Sequence, residues 1–133
     1  MRIIYLGDIV ARPGRDAVKQ AIPFLRETYS YDALIVNADN AAHGFGCTPK
    51  ICNQFFEAGI SAIVTGDHVW NQKEIISFLN DNKRIVRPLN YSSNLAGVGA
   101  RELAASRVEG HYVAGHDSHG RGCHRSVASC AAE

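Results

Sequence analysis

The stretch Ile60-Ser61-Ala62-Ile63-Val64-Thr65-Gly66-Asp67-His68 decides how this chain folds. A short apolar run from Ile60 to Val64, closed by a glycine and polar groups, fits a buried parallel strand. The same arrangement occurs twice upstream. Arg2 to Leu6 ends at Gly7-Asp8, and Ala33 to Val36 is closed by Asn37-Ala38-Asp39-Asn40. Helical signals lie between these runs. From about Arg15 to Tyr29, Ala17, Val18, Ala21, Ile22 and Leu25 recur at helical spacing, and Pro23 predicts a kink or break there. Thr48 reads as an N-cap with Pro49 in the first helical position, ahead of Ile51, Phe55 and Phe56, and Gly59 reads as the C′ stop. Asn71 to Leu79 predicts a third helix, and Ile85-Val86 a short fourth strand before Pro88.

Strand–helix repetition with short turns is an α/β signature: a parallel sheet flanked by helices. In such sheets the chemistry gathers in the loops beyond the carboxyl ends of the strands. Asp8, then Asp39-Asn40, then Asp67-His68 fall at three such ends. Taken singly each is ambiguous. Asp8 also suits a turn or cap, Asn37, Asp39 and Asn40 suit turns, and an isolated His68 suits a structural role. Brought together, carboxylates, amide and imidazole suit a hard or borderline divalent metal such as manganese, iron or magnesium.

The 133 residues give room for one ordinary domain, and 46% apolar with 20% charged residues is a globular composition. A net charge of +1 offers no electrostatic case for binding a nucleic-acid duplex or a membrane surface. No stretch is long and apolar enough for a membrane span, and Asp8 cuts the N-terminal apolar run short of a signal-peptide core, so a cytoplasmic location is expected. Cys47, Cys52, Cys123 and Cys130 match no usual zinc spacing and read as reduced, buried or incidental thiols. After about Gly97 the composition changes, with Ala, Gly, Ser, Arg and His prominent and Lys, Ile and Phe absent. Residues 1–96 are therefore expected to form the α/β unit. Residues 97–133 are expected to form a poorly ordered tail or an out-of-frame translation, with only Val108 to Val113 passing for a weak strand.

The motifs also carry a resemblance. Gly7-Asp8-Ile9-Val10, Pro13-Gly14-Arg15, Asn37-Ala38-Asp39-Asn40-Ala41-Ala42, Gly44-Phe45-Gly46, Thr48-Pro49 and Thr65-Gly66-Asp67-His68-Val69-Trp70 follow in order. With Arg87-Pro88 and Asn90-Tyr91 they resemble the YmdB-type branch of the calcineurin-like metallophosphoesterases over about residues 1–100. The resemblance implies the N-terminal half of a four-layer αββα sandwich. It implies a phosphodiesterase with two divalent metal ions (manganese, iron or magnesium), acting on a small phosphate ester of the 2′,3′-cyclic-nucleotide type. Asp8 then matches a ligand of the first metal, Asp39 the bridging carboxylate, and Asp67 the ligand of the second metal. Asn40 matches a neighbouring amide near metals and phosphate, and His68 the histidine that assists the leaving oxygen or steadies the phosphate.

Three departures stand out. The branch usually has Glu at the position of Asp39 and Asn at that of Asp67, so this chain is one methylene shorter at one ligand and carries an extra negative charge at another. The branch's remaining ligands are histidines of a Gly-x-His-x-His segment in a second half, and Gly115-His116-Asp117-Ser118-His119 has the wrong spacing for it. Two other outcomes therefore stand beside the enzyme: a catalytically inactive truncated member, and a plain nucleotide-binding module. Gly7 to Gly14 is neither a Walker loop nor a dinucleotide fingerprint, which weakens the last. Half of a two-layer sandwich would leave an apolar sheet face bare, so self-association into a homo-oligomer is expected.

Overall fold

The computed structural model describes residues 2–105 and 108–114, with side-chain surroundings up to residue 102. Four strands, β1 (Ile3–Leu6), β2 (Ala33–Asn37), β3 (Ala62–Val64) and β4 (Ile85–Val86), form one parallel sheet in the order β1-β2-β3-β4. Leu6 pairs with Val36, Val36 with Ile63, and Val64 with Val86, so the strand ends that precede the polar clusters lie side by side. The crossovers are α1 (Ala11–Tyr29), α2 (Pro49–Glu57) and α3 (Ile75–Asp81).

Alternation along the strands separates two apolar layers. Leu34, Val36, Ile63 and Ile85 pack with Val18 and Ile22 of α1, Ile51 and Phe55 of α2, and Ile75 and Leu79 of α3. All three helices therefore lie on one face, as right-handed crossovers in sequential order require. Ala33, Ile35, Ala62, Val64 and Val86 form the opposite layer. The face expected to be bare is covered: these residues are only 0–7% exposed. A hairpin of β5 (Ala100–Ala105) and β6 (Val108–Ala114) follows, pairing Ala100 with Ala114 and Leu103 with His111. The β6 backbone comes close to β3. Both edges of β3 are paired and its other face is filled by helices, so the approach is from the Ala62–Val64 side.

The weak strand expected at Val108 to Val113 is β6, while β5 had no counterpart in the sequence reading. His116, His119, His124, Cys123 and Cys130 lie outside the described residues, as does most of the expected tail.

Two helices depart from expectation. α1 begins at Ala11 and runs on through Pro23 without ending. Pro23 and Phe24 face solvent, where water can satisfy the carbonyl freed by the missing N–H, and buried Val18 and Ile22 keep the helix docked. Pro23→Ala is accordingly expected to raise stability by about 1–2 kcal/mol, read as a higher urea midpoint. An unchanged or lower midpoint would mean that the proline's restriction of the unfolded chain outweighs the lost bond. α3 starts at Ile75 rather than Asn71, because polar side chains upstream bond elsewhere. Gln72 Nε2 donates to the Phe45 carbonyl at 2.7 Å and Asn71 Nδ2 lies 3.1 Å from His68 Nδ1.

α2 is capped as its sequence suggests. Thr48 Oγ1 accepts from the Ile51 N–H at 3.2 Å, Pro49 leads, and Gly59 adopts φ 99°. Cys47 and Cys52 occupy the N′ and N4 positions, where an apolar pair staples a helix entry. Their Sγ atoms lie 3.2 Å apart, both buried as free thiols. The bond to Cys47, then burial, push the Cys52 thiol far up, so it stays protonated.

Candidate metal centre

Each polar cluster is delivered by its strand. Asp8 stands two residues beyond β1 and Asp39 two residues beyond β2, while Asp67 and His68 follow Gly66 just past β3. The loops brace one another through their backbones. Ile9 N–H donates to the Asn37 carbonyl at 3.2 Å, Ala11 N–H to Asn40 at 2.9 Å, and Ala38 N–H to Val64 at 3.0 Å. Gly46 N–H returns to the Asp39 carbonyl at 2.6 Å and closes the 39–46 loop.

Asp39 is the centre of the arrangement and is only 6% exposed. Its Oδ1 accepts from the Gly66 N–H at 2.6 Å and the His68 N–H at 3.2 Å. The shorter carboxylate thus reaches across to the β3 loop. Glycine leaves room for this contact, because a Cβ at position 66 would sit 2.7 Å from Asp39 Oδ2. Ligand atoms of Asp39, Asp67 and His68 lie within 4.8 Å of one another. His68 Nε2 is 3.9 Å from Asp67 Oδ2, and the edge of Phe45 meets the imidazole at 5.2 Å between centroids.

Asp8 is not part of that three-residue group. It is exposed with φ 51°, and its Oδ1 accepts from Asn40 Nδ2 at 2.8 Å. The expected residues therefore form two linked pieces: Asp39, Asp67 and His68 as a compact donor set, and Asp8 joined to Asn40 beside it. Sequence reading missed the roles of Gly66, Asn71 and Phe45. The first two had a signal, since Gly66 precedes Asp67 directly and Asn71 stands at i+3 from His68.

Burial raises the Asp39 carboxyl above the usual range, and the neighbouring Asp67 raises it further. The N–H groups of Gly66 and His68 oppose the shift without cancelling it. Among the described residues no Lys or Arg forms an ion pair with Asp39. Two crowded carboxylates, one of them buried, and an imidazole are chemically suited to a divalent cation. Three such donors satisfy part of one coordination sphere; a second ion needs ligands beyond these.

The sign of the pH effect follows from the raised value. The folded, metal-free chain holds the Asp39 proton more tightly than the unfolded chain. That contribution is complete below the unfolded value and is lost as pH rises through the folded one. Asp39→Asn should therefore gain stability relative to the unsubstituted chain as pH rises above about 4, the unfolded carboxyl value, measured by thermal unfolding after metal removal. A pH-independent difference would show that Asp39 does not titrate in this way.

The sequence profile of the YmdB-like protein family matches residues 4–130. The chain belongs to the YmdB-like family. Its match runs past the residue-100 limit at which the motif resemblance stopped. A YmdB-like relative from Bacillus subtilis (strain 168), named 2′,3′-cyclic-nucleotide 2′-phosphodiesterase, is 40% identical over 117 residues, covering 83% of this chain and 44% of that protein. Among solved structures, a hypothetical protein from Thermus thermophilus superposes with a TM-score of 0.73 at 36% identity, over 84% of this chain and 42% of that one. A Mycoplasma pneumoniae structure described as a novel phosphatase gives 0.70 at 35% identity, over 77% and 38% respectively. The chain thus spans less than half the length of each of these relatives. Among the described residues, no helix is long and apolar enough to cross a membrane.

Proposed function

We propose that this YmdB-like chain serves metal-dependent hydrolysis of a small phosphodiester, with 2′,3′-cyclic nucleotides as the substrate class. The observation that carries the reading is the convergence of Asp39, Asp67 and His68 beyond adjacent parallel strands. Asp39 and Asp67 would hold divalent ions, with Asp8 and Asn40 alongside. When bound, such ions supply charge neutralisation and Lewis acidity to a phosphate ester.

The remaining roles belong to side chains of this chain. Asn71 Nδ2 donates to His68 Nδ1, which leaves the ring proton on Nε2. That N–H faces the Asp67 side of the cluster and is placed to donate a hydrogen bond to a departing sugar oxygen, which takes its proton from solvent. The Phe45 ring, in T-shaped contact with the imidazole, helps to fix its plane. Asn40, already turned toward Asp8, can donate its amide to a phosphate oxygen. A binuclear centre needs further ligands, and a second copy of the chain is one source, so we also propose homo-oligomer formation in the metal-loaded state. The cytoplasm remains the proposed location.

Manganese-dependent hydrolysis of bis-p-nitrophenyl phosphate, with Asp39→Asn as control, tests the reading. The expected result is turnover that requires metal and falls by at least about 100-fold in the control, as loss of a ligating group would cause. Hydrolysis of 2′,3′-cyclic AMP in preference to 3′,5′-cyclic AMP would support the substrate class. A folded chain that binds manganese without turnover would favour the non-catalytic alternative. Light scattering with and without manganese reads the assembly.

A further inference from the structure

A second concavity of about 660 Å³ lies between α1, the loop ahead of α2, α2 itself and the turn before α3. None of Asp8, Asp39, Asp67 or His68 lines it. Its charged walls are Arg12, Arg15, Lys19 and Lys50, against Asp16 and Glu74. Four cations in one groove is a local concentration on a chain whose net charge is only +1.

Neutral acceptors hold two of these cations in place while leaving their charge uncompensated. Arg15 donates to the Ala41 carbonyl and Lys19 Nζ to Gln54 Oε1 at 3.4 Å. Asp16 is occupied by Arg12 at 3.4 Å, and among the described residues Arg15, Lys19 and Lys50 have no carboxylate partner. The helix termini add a second argument. Arg12 sits in the first turn of α1 and Lys50 in the first turn of α2, and neither turn contains an acidic residue. Cations at the positive end of a helix dipole are unfavourable, so both helices begin in the arrangement that an anion would relieve.

We propose that this groove binds a short polyphosphate group, of the di- or triphosphate type, on a small molecule. Arg15 would engage phosphate oxygens through its fork, and Lys19 and Lys50 would act as point charges. The volume falls within the roughly 300–1,000 Å³ usual for small-ligand sites. Asp16 and Glu74 line the same groove and limit how far an anionic chain can extend, which disfavours a nucleic-acid strand. The site is independent of the phosphodiesterase reading.

Calorimetric titration of the chelator-treated and dialysed chain with inorganic tripolyphosphate tests this. Saturable one-to-one binding is expected, weakened by higher salt and by at least about tenfold in Lys19→Gln/Lys50→Gln, since two charge-assisted contacts are lost. Asp39→Asn should bind the probe as tightly as the unsubstituted chain, which separates this groove from the metal centre. No binding, unchanged affinity in the double variant, or loss in Asp39→Asn would overturn the proposal. Equal affinity for a short single-stranded RNA would overturn the small-molecule assignment. Should the double variant fail to fold by circular dichroism, Lys50→Glu on an exposed side chain carries the test. Tripolyphosphate should then raise the melting temperature of the unsubstituted chain and not that of Lys50→Glu; equal shifts would overturn the proposal.

Discussion

Arg87→Met is expected to cost about 3–5 kcal/mol of folding stability, from the loss of several charge-assisted hydrogen bonds made by one buried side chain. Arg87 is 4% exposed and donates to four carbonyls. Nε reaches Gly97 at 3.2 Å, Nη1 reaches Pro88 at 2.8 Å and Tyr91 at 3.3 Å, and Nη2 reaches Ser92 at 3.0 Å. Its backbone N–H also bonds Val98 at 2.9 Å. The segment 88–97 has no strand or helix of its own, so one side chain organises most of its inward-facing carbonyls. Methionine fills similar volume but removes the side-chain donor from all four, leaving Pro88 and Ser92 only the backbone N–H groups of Tyr91 and Leu95. Lysine should recover only part of the loss, because a point charge cannot serve carbonyls in four directions. Urea unfolding measures the cost, and a difference below about 1 kcal/mol would refute the role. The indole of Trp70, which donates to Ala96 at 3.2 Å and packs on Tyr91, should report the loosened segment by fluorescence.

The second large effect is on metal affinity. Gly66→Ala is expected to weaken manganese binding by about 10–100-fold, the range typical for groups that orient a ligand. The added Cβ would lie 2.7 Å from Asp39 Oδ2 and 2.9 Å from its Cγ, so the carboxylate must turn away. Turning breaks the 2.6 Å bond from the Gly66 N–H. Gly66 is not among the residues with positive φ, so alanine meets no backbone penalty and the contact alone is tested. Manganese titration of the folded variant reads the result. Unchanged affinity would remove Asp39, in this orientation, from the set of metal ligands.

Where the sequence was legible, the reason was packing. The three apolar runs that end in polar clusters became β1, β2 and β3 in register; β2 and β3 are buried on both faces and must be apolar throughout. Thr48, Pro49 and Gly59 marked α2 because their preferences are local. Elements decided by tertiary contacts were less visible. Pro23 stays inside α1 because burial of Val18 and Ile22 outweighs one lost bond. The segment before α3 is not helical because Gln72 bonds the carbonyl of Phe45, distant in sequence, and Asn71 turns back to His68. β5 is composed of Ala, Arg, Glu and Leu and has no strand signature; pairing with β6 defines it. In the site, residue type and position at a strand end pointed to Asp39, Asp67 and His68. They could not reveal that Asp8 turns to Asn40, since φ 51° at Asp8 is a loop property. The extra charge at Asp67 also acquires a consequence: it makes Asp39 hold its proton more tightly, so a metal ion must compete with that proton.

The β1-β2-β3-β4 order also describes how such a sheet can be assembled. Each strand joins the free edge of the one before it, and no strand has to be threaded between two that are already paired. A chain leaving the ribosome can therefore add one strand and one helix at a time, closing short loops and keeping little apolar surface waiting. The loops bearing Asp8, Asp39 and Asp67 meet in the same order, and among the described residues the sheet ends at a two-residue strand followed by Arg87-Pro88. A proline just past a short edge strand gives further strands little to pair with, so the direction of assembly carries its own terminator.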